Sequence, residues 1–187
     1  MIIHFNGMPG VGKFTVAKLL AESLNARLID NHAVINVAYL CSEHGSDVYE
    51  RIVNSVIDIV YKELANQPKE EIILFTNCLE EHSIKGAIRF NKVVKLAEER
   101  DVRFVPILLE CSKQENLTRA TNPERSQKQK LTNQDILNEL IKKHTIIHPQ
   151  DNENAIKFDS TGLTAEETAS RIEAILREKL FYPARKA

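Results

Sequence analysis

Residues 2–6, an apolar run reading Ile-Ile-His-Phe-Asn, lead straight into Gly7-Met8-Pro9-Gly10-Val11-Gly12-Lys13-Phe14-Thr15 and then into a helical pattern. No other stretch of the chain constrains the fold so tightly. Glycines let the backbone turn sharply and carry its N–H groups up to an anion with no Cβ in the way. A helix starting near Lys13 aims its positive dipole end at the same point, and the lysine adds a full charge. The spacing G-x-x-x-x-G-K-x-T between a strand and a helix is that of a loop cradling nucleotide phosphates. A ligand-free glycine turn is the plainer reading. It does not explain why strand, loop, lysine and helix follow one another in the required order. The nucleotide-binding residues predicted here are Gly7, Pro9, Gly10, Val11, Gly12, Lys13, Phe14 and Thr15.

Short apolar runs at 2–6, 27–30, 72–77, 103–109 and 155–159 alternate with helical patterns at 13–24, 33–43, 46–65, 83–100, 113–120, 133–143 and 165–180. Thr164 and Glu167 form a capping box ahead of the last helix. Strands that alternate with helices imply crossovers and a parallel sheet, and strands that are apolar throughout imply cover on both faces. The expected fold is therefore three-layer α/β, with about five parallel strands and helices on both faces. With 187 residues, no repeat and no low-complexity linker, the chain reads as one domain over 1–187.

Lys plus Arg number 25 against 26 Asp plus Glu, so nothing in the balance suggests a nucleic-acid surface. Cys41, Cys78 and Cys111 lie far apart, without zinc-like spacing, and read as buried reduced thiols of a cytoplasmic protein. The opening apolar run is too short for a signal peptide or a membrane span.

The common form of the phosphate loop carries Ser or Thr directly after the lysine, where the hydroxyl ligates Mg²⁺. Here Phe14 takes that place and the hydroxyl comes one residue later, at Thr15. Gly7, Pro9, Gly10, Gly12, Lys13 and Thr15 match the adenylate kinase variant of the loop, with Phe14 in place of its glycine. The whole chain resembles the P-loop kinase group that holds adenylate kinase, shikimate kinase and chloramphenicol phosphotransferase. That resemblance implies a P-loop NTPase fold, ATP with Mg²⁺, and a small-molecule acceptor. It also implies a substrate-binding helical region at about 31–66, a lid at about 119–133, and an adenine-lining turn at 159–162. Thr15 would contact the α-phosphate, and water would fill most of the Mg²⁺ shell. Asp30, ending the second strand, would align the acceptor hydroxyl and take its proton. Arg119 would stack on adenine, and Arg125 would touch the transferring phosphoryl group.

Read from the residues alone, several of these positions stay open. Asp30 or Asn31 equally suits a cap for the next helix, and His32 suits structure or solvent. Residues 121–131, with one proline and almost nothing apolar, are a solvated loop or a lid, and Lys128 and Lys130 serve either. Thr76 and Asn77 stand where many such enzymes end the third strand with an aspartate. Both can hydrogen-bond a hydrated Mg²⁺ or the γ-phosphate, but neither supplies charge. Arg51 is placed to meet an anionic substrate, whereas Val34, Ile35, Val37, Ala38, Leu40, Val53, Val56, Ile57 and Val60 read as packing. The expected activity is ATP-dependent phosphoryl transfer from a monomer or homodimer, with Lys13, Asp30 and Arg125 as catalytic residues. A nucleotide-binding switch or weak ATPase is the alternative. A nucleic-acid end kinase fits the charge balance less well.

Overall fold

The structure, a computed structural model, describes residues 1–121 and 133–178. Five strands, β1 (Ile2–Asn6), β2 (Arg27–Asp30), β3 (Ile73–Thr76), β4 (Phe104–Glu110) and β5 (Ile156–Asp159), form one parallel sheet in the order β2-β3-β1-β4-β5. The helices are α1 (Lys13–Leu24), α2 (Asn31–Tyr39), α3 (Asp47–Ala65), α4 (Ile84–Glu99), α5 (Lys113–Ala120), α6 (Gln134–Lys143) and α7 (Ala165–Leu176). The strand boundaries all fall within one residue of the sequence expectation, and β3 stops at Thr76, which leaves Asn77 just beyond it. Residue Arg125 and the expected lid lysines lie outside the described residues, as does the end of the last helical pattern.

Central strands are apolar for a physical reason. Ile3, Phe5, Leu74, Val105, Ile107 and Leu109 pack on one face against Val16 and Leu20 of α1 and Ile172 and Leu176 of α7. On the other face, Ile2, Ile73, Phe75 and Phe104 pack against Phe90, Val93 and Leu96 of α4 and Leu64 of α3. Each residue of β1 is buried, whereas the edge strands β2 and β5 keep exposed or half-exposed positions. The expectation of apolar cover on both faces thus holds at the centre and relaxes at the edges.

Side-chain caps set several helix starts. Ser46 accepts from the Tyr49 N–H, Ser83 from Gly86, and Ser112 from Glu115. The box at α7 is complete: Thr164 N–H donates to Glu167 at 2.8 Å, and Glu167 N–H donates to the Thr164 hydroxyl at 3.1 Å. The pair α2 and α3 forms its own apolar cluster from Val34, Ile35, Ala38, Tyr49, Val53 and Ile57. Two packing expectations are corrected here. Val37 is 42 % and Leu40 85 % exposed, because α2 runs only to Tyr39 and its outer face meets no other described element. Cys41, next to it, is likewise exposed rather than buried, while Cys78 and Cys111 are partly covered. Among the described residues, no helix is long and apolar enough to cross a membrane.

Strand β1 lies between β3 and β4, and the chain leaves it first toward β2 and later toward β4. That reversal of winding opens a crevice at the C-terminal ends of the strands, where ligands of open α/β sheets collect.

Candidate active site

The loop 7–12 rises from the end of β1 into this crevice. A Cβ on Gly7 would stand 2.4 Å from the Leu109 carbonyl oxygen, so no larger residue fits without moving β4. Gly12 caps α1 at φ 98, a left-handed backbone that side chains rarely adopt. Lys13 Nζ donates to the carbonyls of Gly7 and Met8, each at 2.8 Å. The ammonium is thereby held inside the loop it would share with a phosphate. Thr15 is exposed, one residue beyond the half-buried Phe14.

Arg119 ties this loop to the turn after β5. One guanidinium nitrogen, Nη1, donates to Val11 O and to Ser160 Oγ, each at 3.0 Å. The other, Nη2, donates to Ser160 O at 3.0 Å, Leu163 O at 3.2 Å and the Glu115 carboxylate. Glu115 also accepts from the Gly162 N–H at 2.8 Å. These bonds use the edges of the guanidinium plane, while stacking on a base uses its faces, so the two are compatible.

On the other side of β1, the ends of β2 and β3 carry a cluster of polar side chains. The Thr76 hydroxyl donates to Asp30 Oδ1 at 2.7 Å. Asp30 is the N-cap residue of α2 by position, but its side chain makes no capping bond. The capping reading of this residue therefore gives way to a side-chain bond across the strand pair. Asn77 Nδ2 donates to Asn31 Oδ1 at 3.0 Å, and His4 Nε2 lies 3.0 Å from Asn77 Oδ1. Burial lowers the His4 pKa to about 4, partly offset by the bond to Asn77, so the ring is neutral near pH 7. The Asn77 carboxamide, expected to face a hydrated metal, is thus committed to His4 and Asn31. Arg51 is exposed on α3, while its neighbour Glu50 pairs with Lys85 and Arg89 of α4.

Sequence reasoning missed two features at this edge. His4 and Asn6, fully buried and 2 % exposed, are polar residues inside an apolar strand. Their alternation along β1 was the available signal. Asn6 Nδ2 donates to Leu79 O at 3.1 Å and Ile147 O at 3.0 Å, and Asn6 Oδ1 accepts from the Leu79 N–H at 2.8 Å. That side chain pins a short antiparallel ribbon in which Glu80 bridges Ile146, Ile147 N–H donates to Leu79 O and Glu81 N–H donates to Thr145 O. His144 pairs with Glu80 at 2.7 Å beside it. The ribbon brings the segment after α6 onto the loop after β3. Among the described residues, no group of three or more His, Cys, Asp or Glu could hold a metal ion.

The model of a family described as AAA domain matches residues 3–137. No curated protein matches the sequence. Among solved structures, a gluconokinase from Sinorhizobium meliloti 1021 is 16% identical with a TM-score of 0.61, covering 98% of this chain and 97% of that one. Shikimate kinase from Acinetobacter baumannii, solved with shikimate, is 22% identical with a TM-score of 0.56, over 96% and 94% of the two chains. The Mycobacterium tuberculosis APS kinase, solved with AMPPNP and APS, is 12% identical with a TM-score of 0.60, over 95% and 97%. At these identities the likeness is one of fold, and it extends over nearly the whole of each chain.

Proposed function

The chain belongs to the AAA domain family, and from that premise we propose that it is an ATP-dependent phosphotransferase acting on a small hydroxylated acceptor. One observation supports this reading most: the Asp30 carboxylate is held by a side-chain hydroxyl at the same sheet edge from which the phosphate loop rises. The proteins of like fold include kinases of gluconate, shikimate and APS by name, which agrees with a small acceptor.

In the proposed reaction the acceptor oxygen attacks the γ-phosphorus of ATP. The bond from that phosphorus to the β–γ bridging oxygen breaks and ADP leaves. The hydroxyl proton passes to the Asp30 carboxylate. Lys13 would leave the Gly7 and Met8 carbonyls and follow the β- and γ-phosphate oxygens as charge shifts between them. Arg119 would stack on the base from a guanidinium already fixed by the turn at Ser160. Arg125, outside the described residues, would touch the transferring group. A hydrated Mg²⁺ suits a site that, among the described residues, offers hydroxyls and no carboxylate cluster; Thr15 and Thr76 would reach it through water, and it would offset phosphate charge.

A nucleotide-binding switch or weak ATPase is the competing reading, favoured by a third strand that ends without a carboxylate. A screen of ATP consumption against a metabolite library separates the two. The kinase reading expects consumption that depends on one class of hydroxylated compound and yields its phosphate ester in step with ADP. Slow hydrolysis indifferent to every compound would overturn it.

A further inference from the structure

His4 is fully buried, with its ring edge-on to Phe90 at 5.4 Å between centroids and stacked near Phe104 at 6.3 Å. Its Nδ1 is buried and has no hydrogen-bond partner. That orphaned nitrogen fixes the sense of the chain of bonds leading away from the ring. A proton on Nδ1 would be a buried donor without an acceptor, which folded proteins avoid more strictly than an unmet acceptor. The proton therefore sits on Nε2 and is donated to Asn77 Oδ1. Asn77 must then turn its NH₂ toward Asn31, whose Oδ1 accepts it at 3.0 Å. Asn31 is left with its own NH₂ as the outward end. Its Nδ2 makes no hydrogen bond among the described residues, and the residue is half-buried at the C-terminal end of β2, next to Asp30. The orientation of both carboxamides follows from one buried nitrogen.

We propose that His4 is a positioning residue that acts through Asn77 to hold the Asn31 amide with its NH₂ outward, where it donates to an oxygen of the acceptor beside the hydroxyl being phosphorylated. The acceptor is thus a diol or a hydroxy acid, and a lone alcohol leaves the Asn31 donor unmet. This inference rests on the reading of Asp30 as partner of the acceptor hydroxyl. Because His4 carries an unmet buried nitrogen, replacing it with an apolar residue of similar reach removes a cost as well as a bond. A structural histidine and a positioning one therefore predict different outcomes.

The test uses the full chain. Long-range nitrogen–proton correlation of the His4 ring should show the neutral tautomer protonated at Nε2; protonation at Nδ1 overturns the relay before any kinetics are run. Transfer from ATP is then measured with gluconate, shikimate and glycerol, against 1-propanol. His4→Leu is expected to keep its melting temperature and its ATP affinity while the acceptor KM rises about five- to tenfold, the scale of one uncharged hydrogen bond. Asn31→Ala, at a half-buried helix start, should show the same rise and serves if His4→Leu does not fold. The double variant should go no further than Asn31→Ala alone, since both changes remove one interaction. Additive losses, or an unchanged acceptor KM, overturn the positioning role. Equal transfer to 1-propanol, or transfer to none of the three oxygen-rich probes, overturns the acceptor class. A chain that consumes no ATP with any acceptor overturns the kinase reading instead, and the tautomer still judges the relay.

Discussion

The phosphate loop and the end of the β2–β3 pair stand on the same sheet edge, yet they are built by different means. The loop is one contiguous stretch that offers a ligand backbone N–H groups, a helix start and one lysine. Its side chains matter mostly by being absent, as at Gly7 against the Leu109 carbonyl. The β2–β3 end is assembled from side chains distant in sequence: His4 with Asn77, Asp30 with Thr76, Asn31 with Asn77. A backbone-made site is specified by a short local pattern and suits an invariant ligand such as a polyphosphate. A site made from side chains of three strands can be rewired one residue at a time, which suits a ligand that varies.

If that contrast is right, the largest single loss on the loop side comes from its one indispensable side chain. Lys13→Ala should reduce transfer roughly 10³-fold and abolish tight ATP binding, because no backbone group replaces a full charge at the γ-phosphate. Without nucleotide, the two carbonyls it holds would be left to water, at about 1 kcal/mol of stability. Paired titration of ATP and thermal melts measure both. Unchanged ATP affinity would break the comparison at its root.

On the other side, Asp30→Asn should keep ATP affinity and lose transfer by ~10²-fold, the usual scale for a lost base or orienting group. The change keeps the shape and an oxygen for the Thr76 hydroxyl, so the fold is expected to hold. Equal loss of ATP binding would mean that the two sides are not separable.

These sites were legible to different degrees, for reasons visible in particular residues. Gly7, Gly12 and Lys13 are readable because strand, turn and helix constrain them within nine positions. The capping box of Thr164 and Glu167 is readable because both partners lie three residues apart. Nothing local announces that His4 meets Asn77, since the sheet order that joins them is a tertiary fact. The ribbon at Leu79 and Ile147 is hidden likewise, held as it is by Asn6 from a third segment. Leu40 is apolar yet exposed, and its sequence does not show that the helix before it ends at Tyr39.

Acid should separate the two sides by a buried group rather than a substitution. His4 in the folded chain titrates near pH 4, below the ordinary imidazole value of 6.5, because burial disfavours its cation. The unfolded chain therefore binds the extra proton first. The stability tied to this neutral ring is complete above pH 6.5 and falls as pH drops toward 4, by about 3 kcal/mol in all. His4→Leu should flatten that part of the stability curve, measured by denaturant unfolding between pH 4 and 7. The carboxylates of Asp159 and Glu173 are also held below their ordinary values, Asp159 mainly by Thr161 and Glu173 mainly by Ser23, and they act on both proteins alike. An unchanged slope in the variant would show that His4 is not the source.

The smallest effect belongs to Thr76, and it decides on which side of the cleft that residue works. Thr76 is 3 % exposed, and its hydroxyl donates to Asp30 at 2.7 Å. The same hydroxyl keeps lone pairs that a hydrated Mg²⁺ could reach through water, so it is claimed by both sides. Thr76→Val keeps the volume and the branched β-carbon and removes only the oxygen. If Thr76 serves chiefly to orient Asp30, kcat should fall about fivefold, the KM for ATP should stay put, and the Mg²⁺ requirement should be unchanged. Thr76→Ser, which restores the hydroxyl on a freer side chain, should recover most of that loss. If Thr76 serves the metal, the loss should instead appear as weaker MgATP binding that a higher Mg²⁺ concentration relieves. The first outcome assigns the end of β3 to the side-chain-built half of the cleft. The second moves the boundary between the halves from β1 to β3, so that Asp30 faces the phosphates across a hydroxyl that both sides share.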